Sequence, residues 1–144
     1  MKRILILTVL AAMVLAVSGN ISRAQKPWYR GNLREIIRSL ETDTDRFKSS
    51  LDHALDDSPL DGTRTEDEIN DYVKRFEEAT DRLRDRAEDE KFSPGAAREV
   101  LNRGRAINVF MRTHRLRGDA EADWARVRND LNRLANGYYI RWKW

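Results

Sequence analysis

Two histidines, His53 and His114, are the side chains that could act as general bases near neutral pH, and with no cysteine in the chain a serine would have to be the nucleophile. No Gly-x-Ser-x-Gly turn is present to present that serine. His53 falls near the end of an apolar-periodic segment beside Asp56 and Asp57, and His114 holds the same place on a later segment. A cation suits a helix C-terminus, so both read as helix-end residues. Metal chemistry fares no better. Neither histidine follows a glutamate by three, as the ligands of two-metal helical bundles do, and a Cys-x-x-Cys-His haem site is impossible. Met111 and His114 share one helix turn and read as core and helix end. Asp56, Asp57 and Asp61 lack the glycine and glutamate positions of a calcium loop. The expectation is a non-enzymatic protein without metal or cofactor.

Binding chemistry is better represented. Arg98, Arg105 and Arg112 are spaced by seven and share one face of a helix, with Arg115 and Arg117 near its end. Such a row could hold a polyanion, or it could dock on an acidic face of the same chain. The second reading is favoured by the charge layout: residues 25–90 carry 19 acidic and 12 basic side chains, and 91–144 carry 5 and 12, so the halves are minus seven and plus seven and attract. The last residues are the least generic. Tyr138, Ile140, Trp142 and Trp144 alternate with Tyr139, Arg141 and Lys143, a period of two that suits an extended arm. One face of the arm would be aromatic and the other cationic. Packed aromatics would tie the arm down, whereas exposed ones would make a clamp for an anionic glycan or a protein partner. Thr44 and Thr80 stand where the helical pattern asks for apolar residues. Each could return its hydroxyl to the carbonyl one turn back, or line a small polar pocket.

Four amphipathic segments must position these groups. Leu33, Ile37, Leu40, Thr44, Phe47, Leu51 and Ala54 form the first stripe, with Asn32 and Glu35 as a capping box at its start and Ser58-Pro59 at its end. The second runs through Ile69, Val73, Phe76, Thr80, Leu83 and Ala87, opened by Thr65 and Glu68 and closed near Glu90. Ser93-Pro94-Gly95 opens the third, whose stripe is Ala97, Val100 or Leu101, Gly104, Ile107, Met111 and His114, with Gly118 placed to end it in a left-handed turn. Asp119 is placed to cap the fourth: Ala120, Trp124, Val127, Leu131, Leu134 and Tyr138, with Gly137 as its stop. Four such helices of about 18 to 25 residues on short loops predict an all-α antiparallel four-helix bundle with an extended aromatic C-terminal arm. A short echo, Leu40-Glu41-x-x-Thr44-Asp45-Arg46-Phe47 and Phe76-Glu77-x-x-Thr80-Asp81-Arg82-Leu83, places matching residues on the first two stripes.

Lys2 and Arg3, the apolar run Ile4 to Val17 and the small residues around Ala24 give residues 1–24 the pattern of a cleaved export signal. Residues 25–144 are then a single helical domain, and no later run is apolar enough for a span. Lys2, Arg3 and Arg23 leave with the signal, so the precursor's +3 becomes 24 basic against 24 acidic residues, and the basic pI of 9.4 ceases to argue for nucleic acid. With no cysteine there is neither a disulfide nor a site for a lipid anchor. The expected location is periplasmic or secreted.

The ending Trp124-x-x-Val127-Arg128-x-Asp130-Leu131-x-x-Leu134-Ala135-x-x-Tyr138-x-Ile140-x-Trp142-x-Trp144 resembles that of a set of small exported bacterial helical proteins to which no activity is assigned. The resemblance implies export and a helical fold. The Leu-Thr-x-x-Gln motif of the periplasmic envelope-stress chaperones is missing. The expected role is therefore binding or structural support in the bacterial envelope or outside the cell, towards an envelope protein or an anionic glycan. A periplasmic chaperone or stress-response protein shielding apolar clients is the alternative.

Overall fold

The computed structural model describes residues 27–116 and 118–144; the segment read as an export signal lies outside them. Four helices follow one another, α1 (Pro27–Asp56), α2 (Arg64–Glu88), α3 (Pro94–Thr113) and α4 (Ala120–Gly137). Each packs on its sequence neighbours and α4 closes on α1, which gives an antiparallel four-helix bundle. The register is fixed by side chains along its length: Lys48 Nζ lies 2.8 Å from Glu77 and Arg82 Nη2 2.8 Å from Glu99. Arg84 bonds Glu41, and Ser39 Oγ donates to Asp130 at 2.7 Å. One hydrophobic cluster draws on all four helices, and every apolar residue of the four stripes is buried in it. Thr44 and Thr80 are buried too, and their hydroxyls donate to Leu40 O and Phe76 O at 2.7 and 3.0 Å. The harmless reading of both threonines is the correct one.

Helix ends depart from expectation in instructive ways. α1 begins at Pro27, five residues before Asn32, because proline needs no N–H acceptor in a first turn; Asn32 and Glu35 are interior. At 30 residues α1 is also longer than expected. The cap of α2 is Thr63, not Thr65: Thr63 Oγ1 accepts from Glu66 N, while a Glu66 carboxylate oxygen accepts from Gly62 N at 2.6 Å. Ser93 caps α3 as expected, accepting from Ala96 N at 3.2 Å. α3 ends at Thr113, so the left-handed Gly118 (φ +82°) serves the loop and not the helix end. Asp119 sits at the start of α4 without a side-chain cap bond.

α4 ends at Gly137 as expected, but the left-handed turn is made by Tyr139 and the glycine serves packing. A Cβ there would fall 2.7 Å from Leu33 Cδ2, so the missing side chain lets α4 lie close against α1. Asp130 and Asp123 precede it at seven-residue steps on the same edge of α4, both buried. This edge explains why α1 and α4 make the most extensive helix contact. Gly104 plays the same part in α3, its Cβ position being 2.7 Å from Leu131 Cδ1.

α2 and α4 close alike. Lys91 N donates to Arg86 O and Glu90 N to Ala87 O; Ile140 N donates to Ala135 O and Tyr139 N to Asn136 O. Both are Schellman motifs, in which the turning residue is usually glycine. Here it is Glu90 (φ +60°) and Tyr139 (φ +55°). Glu90 has a structural reason: Arg34 Nη2 lies 3.1 Å from its carboxylate and Arg34 Nε donates to Ala87 O, clasping the α2 end to α1.

Candidate functional site

Beyond Tyr139 the chain runs back along the α3–α4 seam, and the alternation read from the sequence is realised: Tyr138 is buried, Ile140, Trp142 and Trp144 are half-buried against the core, and Tyr139, Arg141 and Lys143 are exposed. Trp144 is edge-on to Trp124 (ring centroids 6.3 Å apart) and to Trp142 (5.4 Å), and its indole N–H donates to Asn132 Oδ1 at 2.9 Å. Arg128 lies over the Trp144 ring at 5.2 Å and Arg105 over Trp142 at 4.4 Å, while Arg105 Nη2 donates to Lys143 O at 2.9 Å. α3 and α4 are the least extensively packed neighbours, and the arm's tryptophans cover that seam. Trp124 carries the arm into the core, meeting Phe47 at 5.0 Å and Phe76 at 6.4 Å and donating to Asn108 Oδ1 at 3.2 Å.

The expected docking of the arginine row on the acidic half does not occur. Arg98, Arg105 and Arg112 are all exposed and none forms an ion pair among the described residues. Arg105 is taken by the arm, Arg98 borders a groove with Tyr72, and Arg112 borders a cleft with Trp124 and Arg128. The physical reason is local: Arg105 meets the arm and Arg112 the α4 cleft, and several carboxylates of the N-terminal half take nearer cations of their own half. Glu41 is held by Arg84, Glu77 by Lys48, and Glu90 by Arg30 and Arg34. Between the two halves the one ion pair among the described residues that is not a loop neighbour is Arg82–Glu99, whose cation comes from the acidic side.

Charge is consequently distributed in a way that net totals hide. Among the described residues, the basic side chains from Arg30 to Arg86 all stand in an ion pair except Arg38, Lys74 and Arg86, whereas beyond Lys91 only the basic side chains Arg103, Arg126 and Arg133 do. Arg105, Arg112, Arg115, Arg128, Arg141 and Lys143 leave unneutralised charge on the face built by α3, α4 and the arm.

At the arm this face holds a shallow groove of about 720 Å³ lined by Arg105, Asn136, Tyr139, Ile140, Arg141, Trp142 and Lys143. Tyr139 is 84% exposed and sits in the left-handed region, a conformation that costs a non-glycine residue about 1 kcal/mol or more. On the groove wall the Trp142 indole N–H is shut off from solvent and has no acceptor among the described residues. Strain, an exposed aromatic, an unmet donor and excess cations coincide there.

Other sites weighed from the sequence do not assemble. One cleft gathers Ser49, Ser50, His53 and Asp57, but Ser50 Oγ donates to Phe47 O and no serine–histidine hydrogen bond forms among the described residues. His114 caps α3 and stacks on Phe110 at 4.5 Å. Asp56 and Asp61 approach Glu66, not Asp57, and are exposed acids at a loop. Among the described residues Tyr72, Val109 and Tyr139 are the exposed large hydrophobics.

Sequence reasoning missed Asp123 and Asp130, which are buried on the edge of α4 that faces α1. Asp130 accepts from Ser39 Oγ and from Arg133 Nη1 (2.9 Å), and Asp123 pairs with Arg126. The signal was present: each aspartate has an arginine three residues on, at a seven-residue repeat. Asp43 of α1 faces Asp130, and burial, Asp130's charge and a hydrogen bond to Asp130 raise its pKa against the opposing pull of Arg46 and Arg126. No described helix is long and apolar enough to cross a membrane. No protein family, characterised protein or solved structure matches the chain.

Proposed function

We propose that this is an exported, non-enzymatic binding protein of the bacterial envelope or exterior, which takes an anionic partner on the cationic face of its C-terminal arm. The observation that carries the reading is the division of the arm: its aromatic side is committed to the α3–α4 seam, while Arg141 and Lys143 face outward beside an exposed, strained Tyr139. An acidic glycan suits this groove in two ways. Its carboxylate or sulfate groups pair with Arg141, Lys143 and Arg105, and its sugar face stacks on Tyr139. Export rests on the signal pattern of residues 1–24 and on the resemblance of the ending to small exported bacterial helical proteins.

Retention of the purified protein on sulfated dextran, against neutral dextran, tests the reading. Retention should be selective for the sulfated matrix and weaken as salt rises, because added salt screens the charges and lowers the gain from counterion release. Equal retention on both matrices would overturn it. Intact-mass measurement of protein recovered outside the cytoplasm tests export: the account expects a chain beginning at Gln25.

A further inference from the structure

At the other end of the same seam lies a second, smaller cleft of about 360 Å³, bordered by Asn108, Arg112, Arg115, Glu121, Trp124 and Arg128. Three arginines meet one carboxylate there. None of the three forms an ion pair among the described residues. Surface arginines are often solvated and idle, but Arg128 differs from such residues in two respects. Its guanidinium lies over the Trp144 ring, which Asn132 fixes in turn, so much of its side-chain freedom is already lost before any ligand arrives. Its Nε is closed off from solvent and has no acceptor among the described residues. A guanidinium can pair two oxygens of a tetrahedral oxyanion through its two Nη groups as well as through Nε and Nη, and with Nε closed off it is the Nη edge of the half-buried Arg128 that is left for an anion in the cleft.

We infer that the cleft formed by Arg112, Arg115 and Arg128 is a binding site for a phosphate monoester group. Its volume admits one such group with a small substituent and not a polymer. Its excess of two positive charges over Glu121 matches a dianion. The inference rests on the reading that this face takes anions, but it uses different residues from the arm groove, so the two can fail separately. If both sites hold, the ligand is a phosphorylated glycan or lipid headgroup whose phosphate enters the cleft while its acidic remainder lies along the arm.

The test is titration of the purified protein with inorganic phosphate at constant ionic strength, followed by the arginine Nε–H resonances. Saturable shifts should centre on Arg128 and Arg112. Arg112→Gln and Arg115→Gln should each weaken phosphate about tenfold, the usual order for losing a charge-assisted hydrogen bond. The Arg141→Gln/Lys143→Gln double variant should leave phosphate binding as it was. Because Arg128→Gln also releases Trp144, Arg128→Lys and the two other arginine variants keep the result readable should that variant unfold. Vesicles of phosphatidylcholine with and without phosphatidic acid distinguish the source. Binding that requires phosphatidic acid and is displaced by free phosphate assigns a lipid headgroup; phosphate binding with vesicles ignored assigns a soluble phosphate ester. Shifts that grow linearly without saturation, or that persist unchanged in Arg112→Gln and Arg115→Gln, would overturn the site.

Discussion

Replacing Trp124 by alanine should be the most damaging single change in the bundle, and its size can be assembled from the contacts. Trp124 is 3% exposed, packs on Phe47 and Phe76 from α1 and α2, and meets Trp144 of the arm. Emptying a large aromatic site of this kind costs about 3–5 kcal/mol. Asn108, also buried, loses the indole donor to its Oδ1, and a buried acceptor left unmet adds about 1–3 kcal/mol when the cavity stays dry. Since water can enter the new cavity and relieve part of that term, about 5 kcal/mol is the expected total. For a domain of this size that is a fall in melting temperature of about 20 °C. Trp124→Phe keeps most of the packing and loses the hydrogen bond, so it should cost about 1–2 kcal/mol. Circular dichroism melts of both variants give the comparison. An alanine variant melting within about 5 °C of the parent would refute the claim that the core and the arm meet at this residue.

Asp43→Asn should stabilise the protein at neutral pH, because a carboxyl whose pKa is raised by folding favours the protonated state; its contribution is full below the ordinary aspartate value of 3.8 and is lost as pH rises through the folded pKa. Urea titrations at pH 3 and pH 7 should find the gain only at the higher pH, and a gain equal at both would contradict the carboxyl pair. Gly95→Ala, with only Ser93 Oγ at 3.6 Å from the new methyl, should gain up to about 1 kcal/mol of helix propensity. Gly137→Ala should fail to gain it, and should lose about 1–3 kcal/mol by overpacking against the buried Leu33; thermal melts of the pair decide this. Deleting residues 138–144 should lower stability by about 3 kcal/mol or more, since it uncovers Trp124 and removes Tyr138 from the core; an unchanged melt would show the arm to be dispensable for the fold.

The stripes on all four helices could be read from the sequence because the apolar residues recur at three- and four-residue steps, and packing one such face leaves few arrangements. The inward tryptophans of the arm were legible for the same reason, through a period of two. Helix ends were less so. Asn32 and Thr65 are good caps by type, but Pro27 and Thr63 were equally good and better placed, a choice that propensity alone does not make. Gly137 shows a different limit, since a glycine at a helix end serves either as a turn or as a close approach and only the position of Leu33 separates them. The charge argument failed for a further reason. Net charges of minus seven and plus seven do not say where the charges sit: several carboxylates pair with nearer cations of their own half, as Glu41 does with Arg84, while the arginine row lies beside the arm and α4. Salt screening makes near pairs outweigh distant totals.

That residual charge is the centre of the account, and the Arg141→Gln/Lys143→Gln double variant addresses it most directly. Both side chains are exposed and neither touches the core, so the variant separates the arm's outer face from its inner one. Isothermal titration with sulfated dextran, with a thermal melt on the same samples, should show affinity reduced about tenfold or more while the melting temperature stays within about 2 °C of the parent. Undiminished affinity in a fully folded variant would contradict the claim that the arm's cationic face is where the protein takes its partner.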